Sequence, residues 1–415
     1  MPAPLSTTAQ DELEELVLRL RATEPVRRAA AELRERYAAD PIAASASARA
    51  TLDAAVDSVV TAALVEAVVL DAGNPRTMWF PCAEHTWNGR TFPNSGYGIE
   101  NPDNVYRHLG IDDAGTFVLE GRYDPGAPRP MDFSIVVYGE VPGTGAMDPE
   151  GAPILGVFSA ADLLVGADGT FTLTVGPDAD ADLRVAPGAE LLIVRESLSD
   201  WTTEMPCALT VRRTTPATAP SPTEAELADR GAHLAAQLGR YWGLDYNHAS
   251  IYPRPVNTVM AVRRRGIGMA TAGHFDLAPE EAFVVTVDPK GARYLGFQLA
   301  DPWGVARPYV DRTGSLSNAQ AHPNDDGTFT YVIAADDPGV WNWLDTGGLA
   351  AGMFAIRWQP VAPATTPDGA VVRAEVVAFD RLADALPGGT HSCDGDERRA
   401  QLAARRAAYD RRFLG

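Results

Sequence analysis

Several side chains between residues 73 and 108 could carry out acid–base chemistry on a small molecule. His85 could act as a general acid or base, Tyr106 could assist the proton transfer, and Arg107 could hold an anionic group. Aromatic and basic neighbours would complete a pocket for a partly apolar substrate. These neighbours are Trp87, Arg90 and Tyr97. A second interpretation stays open, in which this segment is a cover whose rings close the end of a β-sandwich.

A related pair of side chains occurs in the C-terminal half of the chain. Tyr252 would share the catalytic role of Tyr106, and Arg254 would bind substrate as Arg107 does, because a short motif around each pair recurs. If the two halves pack about a pseudo-twofold axis, both pairs line one cleft. The predicted site therefore lies in a cleft between two domains.

Two tryptophans in the C-terminal half have no counterpart in the N-terminal half. Trp341 and Trp343 lie in an interval that the first half fills with Leu-Arg-Val-Ala at 183–186. Divergence between the halves is where a specialised substrate contact could arise. The favoured alternative is a packing corner, because burial of an indole ring stabilises a fold strongly.

One group of residues has the order of a metal site. His274, Asp276 and His322 follow the two-histidine, one-carboxylate pattern that binds non-haem iron. A His-x-Asp pair arises easily by chance in an acidic chain, and His322 falls in a predicted hairpin loop, so the iron enzyme is the minor alternative. We predict no cofactor. The sequence also lacks the Gly-x-Ser-x-Gly, phosphate-loop and His-Glu-x-x-His motifs of common hydrolases, nucleotide-binding proteins and zinc proteases.

A repeated sequence motif indicates which elements position these side chains. Asp-Gly-Thr-Phe-Thr occurs at 168–172 and again at 326–330. Asp-Gly favours a tight hairpin turn, and the alternation that follows it is typical of a half-buried strand. Residues 101–106 and 191–195 are echoed, in the same order, at 247–252 and 353–357. The pattern predicts two related β-domains.

The rest of the chain is organised around this repeat. We predict a helical segment at 1–72, a first β-domain at 73–213, a proline-rich linker at 214–222, a second β-domain preceded by a helix at 223–390, and a C-terminal helix at 391–415. Short strands separated by Gly and Pro favour a sandwich. The predicted fold is mainly β, with two related jelly-roll-like β-sandwich domains.

Five stretches in the C-terminal half form an ordered set of motifs: Gly296–Asp301, Ser315–Ser317, Asp325–Thr328, Trp341–Thr346 and Phe354–Trp358. Through them the segment from Leu295 to Trp358 resembles a bacterial family of domains of unknown function, catalogued as number twelve-fourteen. The resemblance implies a jelly-roll-like β-fold in a soluble bacterial protein. It implies no particular chemistry.

Composition limits the partners of the chain. A formal net charge of −20 opposes binding to nucleic acid, which depends on Lys and Arg displacing counterions. The most apolar stretch, 54–70, contains Asp57 and Glu66, so we predict no membrane span. Three scattered cysteines favour a reducing cytoplasm. Assembly into a homo-oligomer stays open.

These observations favour an enzyme that acts on a small, partly apolar and anionic substrate by acid–base chemistry. A non-catalytic ligand-binding or assembly protein is the alternative. The sequence does not identify the reaction.

Overall fold

The computed structural model describes residues 3–145, 147 and 151–414. Strands make up 28% of the structure and helices 27%, which broadly supports the mainly-β prediction but gives the helices an equal share. The α-helices of the described residues are α1 (Thr8–Arg21), α2 (Glu24–Ala39), α3 (Ala46–Val69), α4 (Glu224–Arg240), α5 (Leu382–Ala385) and α6 (Gly395–Asp410).

Side-chain caps fix where the main helices begin. The Thr7 hydroxyl accepts a hydrogen bond from the backbone of Gln10 at the start of α1. Thr223 and Glu226 form a reciprocal capping box at the start of α4, the helix predicted to precede the second β-domain. α4 then continues as two π-helical turns, Tyr241–Asp245 and Asn247–Ile251.

Helix α3 is the centre of the helical layer. It contacts α1, α2 and α4, and also strands from both β-domains. Its second half is buried on every side, which explains why its sequence is apolar around the whole circumference. Within the described residues, no helix combines the length and hydropathy needed to cross a membrane.

The strands form two sandwich-like pairs of sheets and one small hairpin. In chain order they are β1 (Met78–Trp79), β2 (His85–Trp87), β3 (Arg90–Phe92), β4 (Asn104–Gly110), β5 (Phe117–Arg122), β6 (Asp132–Tyr138), β7 (Ile154–Ser159), β8 (Thr170–Gly176), β9 (Leu183–Arg184), β10 (Leu191–Ser197), β11 (Ala208–Arg213), β12 (Arg263–Arg265), β13 (Gly268–Asp276), β14 (Glu281–Val287), β15 (Tyr294–Ala300), β16 (Ser315–Ser317), β17 (Phe329–Ala334), β18 (Trp343–Asp345), β19 (Ala351–Gln359) and β20 (Val371–Ala378).

Each β-domain pairs a five-stranded sheet with a four-stranded sheet. In the first domain, sheet I has the order β1-β4-β10-β6-β7 and sheet II has the order β11-β5-β8-β9. In the second domain, sheet III is β12-β13-β19-β15-β16 and sheet IV is β20-β14-β17-β18. The two orders correspond strand for strand. Even the parallel pairs match, since β8 pairs parallel with β9 and β17 with β18.

The segment 73–108 is built from short strands. It forms β1, the β2–β3 hairpin and the start of β4. Its rings pack into a core shared with the helical layer, where Trp79 contacts Tyr409 and Phe413 of the C-terminal segment. Much of this segment therefore covers the junction between the helices and sheet I.

Candidate functional site

His85 belongs to a buried network and faces no cleft. Its Nε2 lies 3.0 Å from Oε1 of Glu14, and its Nδ1 lies 3.0 Å from the carbonyl oxygen of Ala83. Burial alone would lower the pKa of His85, but the Cys82 sulfur and the Glu14 carboxylate outweigh it and raise the pKa to about 10. The ring is therefore held as a cation by its neighbours. This arrangement stabilises the fold and leaves no nitrogen free to act as a base.

Trp87 and the two arginines near His85 in sequence bind protein groups. The indole nitrogen of Trp87 donates to Glu14, and Arg90 pairs with Asp11. Arg107 lies inside the first sandwich, where Nη1 is 2.5 Å from the Glu196 carboxylate. These side chains have structural partners in place of an anionic ligand.

Tyr252 and Arg254 do not join the predicted site residues of the first β-domain. The Tyr252 hydroxyl donates to the carbonyl oxygen of Pro302 at 2.8 Å, while the Arg254 side chain is exposed. Residues 247–251 are π-helical, so the motif shared with 101–106 does not correspond to equivalent strands. The structure does not bring His85, Arg107 and Arg254 into one pocket.

The residues of the minor iron hypothesis are also separated. His274 lies beside Tyr252 and contacts the carbonyl oxygen of Arg254 at 2.8 Å, and Asp276 is exposed at the end of the same strand. His322 instead stacks on His391, with ring centroids 4.1 Å apart. Within the described residues, no group of three or more His, Cys, Asp or Glu side chains could hold a metal ion.

The tryptophans of the second domain have packing roles. The Trp341 indole donates to the carbonyl oxygen of Gln320 at 2.9 Å, and the Trp343 indole donates to that of Ala334 at 3.0 Å. The guanidinium of Arg398 lies over the Trp343 ring. This geometry agrees with the packing corner that the sequence favoured.

Two open surface cavities lie on the helical layer, with volumes of about 360 and 330 Å³. The first is lined by charged side chains such as Glu12, Arg19 and Glu224, and the second includes Arg21 and Asp57. Neither cavity includes a residue that the sequence nominated.

The outer face of sheet I gathers polar and aromatic side chains. Tyr106 and His108 are two residues apart on β4, so both side chains point to this face. Arg195 of β10 lies directly opposite Tyr106. Glu66 of α3 and Tyr97 reach the same face from above. We call these five residues, Glu66, Tyr97, Tyr106, His108 and Arg195, the outer-face cluster.

Glu66 and His108 form a carboxylate–imidazole pair within this cluster. Oε1 of Glu66 lies 2.9 Å from Nδ1 of His108, and the Tyr97 hydroxyl donates to the same oxygen at 3.5 Å. Oε2 of Glu66 is buried and has no hydrogen-bond partner in the described part of the chain. No described residue hydrogen-bonds Nε2 of His108. A carboxylate at Nδ1 fixes the tautomer and orientation of the ring, which is buried and packs against the Phe80 ring.

Arg195 and Tyr106 form the second part of the cluster. The guanidinium lies 5.3 Å from the centroid of the Tyr106 ring, and its Nε is buried without a partner. The structure gives Arg195 no ion pair or hydrogen bond within residues 3–145, 147 and 151–414. The Tyr106 hydroxyl accepts from Asn104 at 2.8 Å, which leaves its own hydrogen available. Both groups can donate to an oxygen atom of a ligand.

The second β-domain has an arginine at the matching position, and that arginine hydrogen-bonds to the protein backbone. Arg357 on β19 lies opposite Ala270 and Gly296, as Arg195 lies opposite Tyr106 and Ser134. Nη2 of Arg357 donates to the carbonyl oxygen of Ile99 at 2.9 Å.

The β4 side chains of the cluster have small counterparts in the second domain. Ala270 and Ala272 occupy the strand positions of Tyr106 and His108. The first domain therefore places a phenol and an imidazole at two strand positions where the second domain has alanines.

Sequence reasoning found two of the five residues, Tyr97 and Tyr106, and missed the other three. Glu66 was visible as a charge in an otherwise apolar helix. His108 was visible as the next residue on the same strand face as Tyr106. Arg195 lay within the repeated apolar-Arg motif. Their proximity depends on α3 crossing sheet I, which no local pattern indicates.

Comparisons with known proteins address the fold and leave the chemistry open. No family model matches the chain, and no curated protein matches it. A solved structure of an uncharacterised protein from Burkholderia cenocepacia is similar, with 22% identity, a TM-score of 0.64, and coverage of 90% of this chain and 96% of that chain. A protein from Vibrio parahaemolyticus is 12% identical, with a TM-score of 0.40 and coverage of 77% and 96%. The Burkholderia structure supports the overall arrangement of sheets and helices.

Proposed function

We propose that this protein binds a small, partly apolar anion on the outer face of sheet I and acts on it by acid–base chemistry. The observation that carries the proposal is the Arg195 guanidinium beside Tyr106, whose buried Nε has no hydrogen-bond partner within the described residues. Guanidinium groups that are partly buried in proteins normally have hydrogen-bonding partners. A carboxylate or phosphate oxygen would supply the missing partner.

The surroundings of Arg195 suit an apolar group next to that anion. Ile193 and Val136 lie beside His108 on the same face, and the Tyr138 ring is half-buried nearby. The amide of Gln359 donates to Asp132 at 3.0 Å, which brings the second β-domain to the edge of the face. The ligand would therefore lie near the domain junction. It would bind on sheet I, and not in a cleft lined by a Tyr-Arg pair from each domain.

The Glu66–His108 pair supports catalysis in addition to binding. In this proposal Nε2 of His108 transfers a proton to or from the ligand, Glu66 holds the ring, and Tyr106 assists through its free hydroxyl hydrogen. Arg195 orients the anionic group. His85 and Tyr252, the residues first favoured from the sequence, are not part of this site.

The identical strand orders support two finer proposals about the fold. We propose that the β-domains arose by internal duplication and that each is jelly-roll-like. Membership of the family of unknown function that the second domain resembles, and a cytoplasmic location, are further proposals.

A screen of ligands by thermal unfolding tests the proposed function. Aliphatic and aromatic monocarboxylates of increasing length form the panel, because a ligand that binds only the folded state raises the unfolding temperature. We expect stabilisation by some members and its loss in Arg195→Gln. The matched control is Arg212→Gln, on an exposed arginine of β11 in the same domain. A panel that stabilises neither protein, or stabilises both variants equally, would refute the site.

Assembly is a second candidate function, favoured by one surface. Ile154, Val157 and Leu164 are 57%, 62% and 86% exposed, and the first two lie on β7, the edge strand of sheet I. Exposed apolar residues at a sheet edge promote pairing with another chain. The test is the oligomeric state of the protein in solution.

A further inference from the structure

Arg412, which follows α6, is a buried cation, and two of its three guanidinium nitrogens lack a protein partner within the described residues. Arg412 is 1% exposed. The Nε and Nη2 atoms of its side chain have no hydrogen-bond partner within the described residues. Burying a guanidinium without hydrogen bonds is costly, because each N–H group loses its water. Such a group indicates that something outside the protein's own polar atoms completes the site.

The neighbouring arginine shows the contrast. Arg405 and Arg412 both lie against the Trp201 ring, at 4.3 and 4.4 Å from its centroid. Arg405 is fully engaged. Its guanidinium donates to the carbonyl oxygen of Tyr309, to Gln320 and to Ser315. Nε and Nη2 of Arg412 donate to no described residue, and its guanidinium lies against a second ring, that of Tyr409, at 5.0 Å.

The local charges do not balance. Asp103 is the carboxylate that acts on both arginines. Its two oxygens already accept from the Trp201 indole at 2.9 Å and from the Tyr294 hydroxyl at 2.7 Å. Burial lowers the pKa of Arg412, and it lowers the pKa of Arg405 to about 10. Two buried cations therefore share one carboxylate.

We propose that Arg412 anchors an enclosed binding site for a small monovalent inorganic anion such as chloride. The anion accepts hydrogen bonds from the guanidinium and neutralises the excess positive charge. Arg412 connects three parts of the chain. It follows the C-terminal helix, its carbonyl oxygen accepts from the backbone of Leu5 near the N-terminus at 3.0 Å, and its guanidinium lies against Trp201 of the first β-domain. Anion binding thus stabilises the junction of the N-terminus, the C-terminal helix and that domain. This inference does not depend on the proposed function.

Thermal unfolding at constant ionic strength tests the anion site. Gluconate, a much larger anion, is replaced stepwise by chloride, so that general screening stays unchanged. We expect the unfolding temperature to rise with chloride, and the folding equilibrium constant to rise about 100-fold when chloride is 100 times its Kd. The rise disappears in Arg412→Met and persists in Arg411→Met, a matched change at the exposed neighbour. Equal chloride dependence in both variants, or none in the unmodified protein, overturns the proposal.

A direct measurement keeps the proposal falsifiable if Arg412→Met fails to fold. Crystals of the unmodified protein are grown in bromide, whose anomalous scattering locates the ion. We expect a peak within hydrogen-bond distance of the Arg412 guanidinium. A map without a peak there, at bromide concentrations that label other surface sites, contradicts the proposal.

Discussion

Arg195 and Arg357 occupy the same position in the five-stranded sheets of the two β-domains, but their surroundings differ. Arg357 binds the carbonyl oxygen of Ile99, and its face is covered. Arg195 lies against the Tyr106 ring and near the Asp132 carboxylate, and its buried Nε has no hydrogen-bond partner in the described part of the chain. Since the strand orders match, the difference reflects what covers each sheet. A half-buried arginine whose Nε lacks a hydrogen-bond partner, on one copy, is the feature on which the proposed function depends.

The network around His85 predicts a pH-dependent stability. The folded pKa is about 10, against 6.5 for an unperturbed histidine. The stabilisation is therefore complete below about pH 6.5 and is lost as pH rises through about 10. We expect the free energy of unfolding in urea to fall over this range in the unmodified protein, and to fall less in His85→Gln. His233→Gln, on an exposed histidine of α4, should follow the unmodified protein. Parallel curves for all three would contradict this account of His85.

The buried pair of Arg107 and Glu196 predicts a large loss of stability. Arg107→Met leaves the Glu196 carboxylate unpaired inside the first sandwich, which should cost about 3–5 kcal/mol. The double variant with Glu196→Gln should recover part of that loss, because no buried charge is left unpaired. Arg212→Met, at the surface, should change the free energy of unfolding by less than about 0.5 kcal/mol. Equal losses in Arg107→Met and Arg212→Met would show that the buried pair has no special role.

Much of the β-structure could be predicted from local pattern. The repeated Asp-Gly-Thr-Phe-Thr marks β8 and β17, and the apolar-Arg motif marks β10 and β19, which are equivalent strands. The third match, at 101–106 and 247–252, was misleading. The second copy is π-helical, and Ala270 holds the place assigned to Tyr252. A short polar-aromatic motif does not by itself distinguish a helical turn from a strand.

The candidate site was harder to predict, because it depends on contacts between residues far apart in the sequence. His85 seemed available as a base, but Glu14, 71 residues away, holds it. Arg107 seemed to face a ligand, but Glu196, 89 residues away, neutralises it inside the sandwich. The sequence reveals which side chains can do chemistry. It does not reveal which of them the fold has already paired.

The roles in the outer-face cluster predict a separation of binding from catalysis. With a ligand identified by the thermal screen, His108→Ala should lower its conversion about 10²- to 10⁴-fold and leave its Kd nearly unchanged. Tyr106→Phe should have a smaller effect, because it removes one hydroxyl. His274→Ala, on the outer face of sheet III, serves as the control. Unchanged turnover in His108→Ala would leave binding as the activity of this face.

The exposed edge of sheet I predicts self-association. Sedimentation at increasing concentration should show an oligomer of the unmodified protein and a monomer of Val157→Lys, because a charge on an edge strand opposes strand pairing. Val372→Lys, at a valine that is 58% exposed on β20, should leave the oligomer intact. A monomer at every concentration of the unmodified protein would remove assembly from consideration.

Calorimetric titration of the best carboxylate from the screen tests the central claim most directly. Loss of a charged hydrogen-bonding partner costs about 1.5–3 kcal/mol, so we expect Arg195→Gln to weaken the Kd by roughly 10- to 150-fold. Arg212→Gln should bind as the unmodified protein does. An unchanged Kd in Arg195→Gln would show that the ligand binds elsewhere and would contradict the proposed function.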